Sequence, residues 1–181
     1  VLRQFAESHP SITLMIDEVE DEPLRQGFRQ GSYDLIIGRP ELLTGMQSTC
    51  HLLAHDRLVL LIPAGHPLAG RPAVPLEELS GESFILMHPG SSIYRLCITA
   101  CQKKGFQPAV TRTAKIESIV SAVAAGEAVS LLPYSNFDVF RHENVAVIPL
   151  QEPVAADVVL ACLSPKKLSL CGRALWKYFS G

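Results

Sequence analysis

The chain has 181 residues, 48% hydrophobic and 19% charged, with a formal net charge of -2. That composition excludes a chain dominated by disorder and supplies apolar mass for one large domain or two small lobes. It also removes the electrostatic case for binding nucleic acid through this segment, because the 16 Lys and Arg are spread along the chain rather than clustered to displace counterions.

Taken in order, Leu2, Phe5 and Ala6 predict an opening helix that stops before Pro10. Ile12, Leu14 and Ile16 alternate with Thr13, Met15 and Asp17, the period of a strand. The segment Glu22-Pro23-Leu24 places a proline in a first helical turn, and that helix is expected to run to Gly31 as its C-terminal stop. Asp34-Leu35-Ile36-Ile37-Gly38 then reads as a buried strand leading into a Gly-Arg-Pro loop. Strand, helix and strand together predict one crossover unit of a parallel sheet. Two strands follow over residues 47–62, separated near Asp56, the second being Leu58-Val59-Leu60-Leu61-Ile62.

Pro63, Gly65, Pro67, Gly70, Pro72 and Pro75 crowd into a connector. Beyond it the pattern predicts a strand over 83–87, a helix over 92–104, a strand over 109–113, a helix over 116–125 and a strand over 129–132. Lys103-Lys104 suits the end of its helix. A second proline-marked crossing falls at Ile148-Pro149-Leu150, followed by a strand over 158–163 and a helix over 168–179. Two connectors around a central block predict a discontinuous lobe, residues 1–62 and 148–181, wrapped around a continuous one, residues 63–147. Such a layout implies a hinge where the chain crosses twice and a ligand cleft between the lobes.

Five cysteines, an odd number, read as free thiols of a reducing compartment. The longest apolar run, residues 58–63, falls far short of the roughly 20 residues that span a bilayer. The chain opens on Val1 within a helix, so a fragment of a longer protein is expected.

The strongest local site signal is His88-Pro89-Gly90-Ser91-Ser92 before a helix whose Ile93, Leu96, Cys97, Ala100 and Cys101 share one face. Ser91 or Ser92 would cap that helix beside unpaired N–H groups and the positive end of its dipole, a place suited to a carboxylate. The plainer alternative is a cap alone, worth about 1 kcal/mol. In open parallel sheets ligands sit beyond the carboxyl ends of strands. Those ends supply Glu20 and Asp21 and then Gly38, Arg39 and Pro40. Arg39 either pairs with an anion through its planar fork or is a solvated loop arginine; Asp21 is favoured as a helix cap over a ligand contact. Pro133 and Tyr134 end a strand, with Tyr134 offering a hydroxyl, an aromatic wall or plain packing.

Other signals fail on geometry. Cys97 and Cys101 lie on an apolar helical face and belong to the core. His51 and His55 lie in a predicted strand, where four residues span about 13 Å, too far for one ion, so no metal is expected. No nucleophile elbow, zinc-protease motif or phosphate loop is present, so neither catalysis nor a cofactor is expected.

The order and spacing of several segments resemble the effector-binding domain of LysR-type transcriptional regulators across essentially the whole chain. They are Phe5-Ala6-Glu7-Ser8-His9-Pro10, Gln30-Gly31-Ser32-Tyr33-Asp34-Leu35-Ile36-Ile37-Gly38 and Leu61-Ile62-Pro63-Ala64-Gly65-His66-Pro67-Leu68. The helix ending in Ala125-Gly126 and then Leu132-Pro133 completes the set. The resemblance implies an α/β, two-lobed fold like type 2 periplasmic binding proteins, each lobe a mostly parallel sheet flanked by helices and hinged by two crossing strands. It implies a small effector held between the lobes, with similar domains using the turn at residues 90–92 for contact, and Ser91, Ser92 and Arg39 point to an anion such as a carboxylate or aromatic acid. It further implies an antiparallel homodimer through the opening helix and a lobe II element, with apolar residues among positions 1–5 exposed for it and a tetramer possible in the full-length protein. DNA would be bound only through a preceding winged helix-turn-helix domain, in the cytoplasm and away from membranes. The family's first strand would precede the opening helix and is absent from this chain, and Ala128 stands where these domains often carry glycine. A transport solute-binding protein and a small-acid lyase or deaminase share the scaffold and stand as alternatives.

Overall fold

The computed structural model describes residues 2–180, the side chain of residue 138 apart. Contacts divide the chain into two units, Val1–Ala54 with Val158–Gly181, and His55–Asp157. The expected boundaries, after residue 62 and before residue 148, would cut into the sheet of the second unit. The division by contacts falls after residue 54 and before residue 158.

In the first unit the run Val158-Val159-Leu160-Ala161-Cys162 is apolar at every position, as a strand buried on both faces must be. It forms the centre of a three-stranded sheet. The elements in chain order are α1 (Leu2–Ser8), α2 (Asp21–Gln30), β1 (Ile36–Gly38), a 3₁₀ turn (Pro40–Leu43) and β2 (Thr49–Ala54). The central strand, which becomes β8 in chain order, pairs antiparallel with β1 (Ile36 opposite Ala161) and with β2 (Cys50 opposite Ala161). Val159 and Ala161 face a cluster with Phe28 of α2, Ile36, Leu42 and Leu43. Leu160 and Cys162 face Leu168 and Trp176, the latter on the last helix, residues 170–180. Arg25 of α2 donates to the carbonyls of Leu42 and Thr44 at 2.6 Å each, tying that helix to the 3₁₀ turn. Gly31 closes α2 in the left-handed region (φ 75°), as its sequence position predicts.

Three expectations fail here. Residues 12–16 form no strand, and Met15 and Ile16 lie in solvent at 93% and 69% exposure. Alternation specifies which faces a strand would show, but a strand exists only by pairing, and among the described residues no strand pairs with this segment. The parallel crossover onto β1 therefore does not form either, and β1 is antiparallel to its partner. Phe5 is also not exposed: it is fully buried, stacked on His9 with centroids 4.3 Å apart and edge-on to Tyr178. Val1, the other large apolar residue expected in an exposed face with it and Leu2, lies outside the described residues.

The second unit is built around β3 (Leu58–Pro63), whose Leu58, Val59, Leu60, Leu61 and Ile62 are all buried. It continues with β4 (Ser83–Leu86), α3 (Ser92–Lys103), β5 (Ala109–Thr113), α4 (Ile116–Ala124), β6 (Ser130–Pro133), α5 (Tyr134–Val139) and β7 (Val145–Pro149). β3 lies between β6 and β7, antiparallel to both, and β4 pairs with β5 in parallel. Most pairings are thus antiparallel, which corrects the expectation of mostly parallel sheets. Helices α5 and strand β7 were not predicted; the first is too short to show a period, and Pro149 made the second read as a crossing. Proline is tolerated there because β7 is the outer strand of its sheet.

Candidate functional site

The turn before α3 is positioned by the packing of that helix. Ile93, Cys97, Ala100 and Cys101, at helical spacing, are buried in the core of the second unit, and the Cys97 thiol donates to the Leu131 carbonyl of β6 at 3.5 Å. Ser91 has extended backbone (φ -80°, ψ 148°) and is the N-cap; its hydroxyl accepts from the Tyr94 N–H at 3.1 Å. Ser92 is the first helical residue and is 5% exposed, so of the two serines only Ser91 caps. The turn is closed by the Ser91 N–H donating to His88 O at 2.9 Å, and Arg95 donates to Gly90 O at 2.9 Å. The result is a polar turn on a twelve-residue helix, with backbone donors at the positive end and a guanidinium one turn along. Backbone donors at a helix N-terminus beside a guanidinium are the chemistry that suits a carboxylate oxygen.

Pro133 ends β6 and Tyr134 opens α5. Asp56 fixes this corner: its carboxylate accepts from the N–H of Arg57 at 2.8 Å and from the Ser135 hydroxyl at 2.6 Å, while Tyr134 N–H donates to Arg57 O at 2.9 Å. Tyr134 lines a cavity of about 560 Å³ together with Arg57, Phe137, Arg141, His142 and Val147. Of the sequence candidates only Tyr134 lines it. Arg57, Arg141 and His142 were missed; the available signal was Arg141-His142 directly before the alternation Val145, Val147, Pro149.

In the first unit Gly38 ends β1, Arg39 is the extended residue before the 3₁₀ turn and Pro40 is that turn's first residue. A Cβ at Gly38 would meet Leu42 at 3.0 Å, so glycine allows the turn to fold tightly onto the strand end. Asp21 is not the cap of α2: Glu20 holds that position, and Asp21 lies in the first turn, where its charge complements the dipole. Glu41, missed in the sequence, has a buried carboxylate oxygen, Oε2, without a hydrogen-bond partner among the described residues.

Cys97, Cys101 and Cys162 are buried and Cys50 and Cys171 exposed, all as free thiols. Burial pushes Cys101 up to about 11, and Cys162 also to about 11, with Cys50 nearby adding to it. His51 packs on Trp176 at 4.2 Å between centroids, and His55 lies 3.4 Å from Asp157. Among the described residues no three His, Cys, Asp or Glu gather as a metal site.

The elements and sheets are those of an α/β protein. Residues 1–180 match the LysR substrate binding domain, and the chain belongs to that family. It is 27% identical over 175 residues to the transcriptional dual regulator GltC of Bacillus subtilis, covering 96% of this chain and 58% of that protein. The regulatory domain of CcmR from Synechocystis PCC6803, solved with 2-PG, superposes at a TM-score of 0.84 and 22% identity, over 98% of this chain and 86% of that one. The BenM effector-binding domain with its effector benzoate gives 0.82 and 22%, over 99% and 82%. The family is one of transcription regulators and not of enzymes. The chain therefore spans little more than half of the length of the GltC relative, and among the described residues no helix is long and apolar enough to cross a membrane.

Proposed function

We propose that this effector-binding domain takes a small carboxylate at the turn formed by Gly90, Ser91 and Ser92. The observation that carries the reading is the Ser91-capped start of α3, held in place by a buried helical face. Benzoate, the effector of BenM, is the natural first probe. The effector's differential affinity for two states of the domain would be passed to a winged helix-turn-helix domain joined upstream, in a cytoplasmic regulator that pairs as a homodimer. The family match supports this over a transport protein or a small-acid lyase. The candidates of the first unit, Asp21, Gly38, Arg39 and Pro40, and Pro133 of the second are tested singly by alanine substitution, Arg39→Ala carrying the largest expected loss.

Native mass spectrometry of the purified chain, followed by calorimetric titration with benzoate and other carboxylates, tests the proposal. A carboxylate bound one to one and recovered intact supports it. Chemical turnover of the bound ligand, or a panel in which neutral analogues bind as well as the acids, overturns it. Sedimentation of the full-length protein tests the dimer.

A further inference from the structure

The cavity beside α5 is a different place from the turn before α3, and none of the described residues lining it comes from that turn. Its floor follows from strand register. Val59 stands opposite Pro149, Leu61 opposite Val147 and Pro63 opposite Val145, so Val59, Val145, Val147 and Pro149 all present side chains on one face of the sheet. Phe137 of α5 closes over that face and is itself buried.

The rim has the opposite character. Arg57 enters from the start of β3, and Arg141 and His142 from the loop between α5 and β7, beside Glu143, the one acid among the described residues that line it. His142 Nδ1 accepts from the Asn144 N–H at 3.1 Å, which leaves Nε2 as the nitrogen that carries the ring's donor. The loop is held at both ends: Phe140 N–H donates to Phe137 O at 2.9 Å, Val145 N–H to His142 O at 3.1 Å, and Ala64 N–H to Asn144 O at 2.9 Å. A volume of about 560 Å³ falls within the range of small-molecule pockets.

From an apolar floor, an aromatic wall and a rim with three basic side chains, we infer that this cavity is a second ligand site, for an amphipathic monoanion. The ligand is a carboxylate with an aromatic or branched apolar body. Its body lies on Val147 and Phe137, and its charge is taken by Arg57 and Arg141, with the Tyr134 hydroxyl and His142 as further partners. A compact, fully hydrated anion such as inorganic phosphate satisfies the rim but leaves the floor wet, so it is the weaker ligand. The site gives the domain a second input that does not depend on the turn before α3.

The test is a titration of the ¹⁵N-labelled chain with phenylacetate, with benzyl alcohol and inorganic phosphate in parallel. Saturable shifts of the amides of Tyr134, Phe137, His142 and Val147 with phenylacetate are expected, at least tenfold tighter than with either control. Arg141→Gln and Arg57→Gln are each expected to weaken binding about tenfold. Gly90→Glu is expected to leave these shifts in place, so loss of the turn's ligand and loss of this one are read separately. Val147→Trp fills the cavity and abolishes the shifts; the two arginine variants serve where that one fails to fold. No saturable shift at these residues, equal binding of benzyl alcohol or phosphate, or phenylacetate affinity unchanged in both arginine variants overturns the assignment.

Discussion

Gly90→Glu puts a negative charge beside the proposed carboxylate site without disturbing the fold. An added Cβ at Gly90 meets no heavy atom within 4 Å, and the residue is not in the left-handed region. Ser92→Glu would be a poorer probe, because Ser92 is 5% exposed and a buried carboxylate costs several kcal/mol on its own. At about 6 Å and an effective dielectric near 20, two like unit charges repel by about 3 kcal/mol. Arg95, bonded to the Gly90 carbonyl at 2.9 Å, offsets part of this, as does salt. A net penalty of about 1.5–2 kcal/mol remains, which is a loss of affinity of about ten- to thirtyfold. Calorimetric titration with benzoate measures it, with Gly90→Gln as the neutral variant of equal size, expected within about twofold of the parent protein. Equal affinities for the Glu and Gln variants would refute the electrostatic argument and move the ligand away from this turn.

Three further outcomes follow from the geometry. Ser91→Ala removes the acceptor of the Tyr94 N–H and is expected to lower stability by about 1 kcal/mol in urea denaturation, while Ser91→Asp restores most of it. Leu60→Ala, fully buried in the central strand of the second unit, should cost about 2–5 kcal/mol, whereas Leu170→Ala, 79% exposed, should stay within about 0.5 kcal/mol. At pH 8 a thiol reagent should label Cys50 and Cys171 quickly and Cys97, Cys101 and Cys162 only on unfolding. Because burial raises Cys101 and Cys162 from 9.0 to about 11, the unfolded chain ionises first as pH rises. Their stabilising contribution is complete below pH 9 and is lost as pH climbs toward 11; urea midpoints at pH 8 and 10.5 measure the loss, and Cys101→Ala should reduce it.

Legibility in the sequence divides along chain distance. Features decided within one helical turn were readable: the face Ile93, Cys97, Ala100, Cys101, the glycine stop of α2 and the serine cap ahead of α3 are each set by neighbours at i+3 or i+4. The strand expected over 158–163 is observed as β8, covered by α2 on one side and by Trp176 on the other. Strand direction was not readable, because a run such as Ile36-Ile37-Gly38 carries no mark of whether its partner runs parallel or antiparallel. Nor was partnership: residues 12–16 alternate as a strand should, yet among the described residues no strand pairs with them.

The same division explains which candidate residues were legible. Gly90, Ser91 and Ser92 are adjacent in sequence and declare themselves by their relation to one helix start. Arg57, Tyr134, Arg141 and His142 meet only because Asp56 pins the first turn of α5 and because Val59 pairs with Pro149 and Leu61 with Val147. No local pattern encodes that meeting. Shifting β7 by one residue would turn Val145, Val147 and Pro149 to the opposite face and destroy the floor of the cavity, while leaving every helix and its cap intact. The cavity is therefore a property of register, and the turn before α3 a property of local sequence, which is why substitutions at Asp56 or Ser135 should perturb the first and leave the second unchanged.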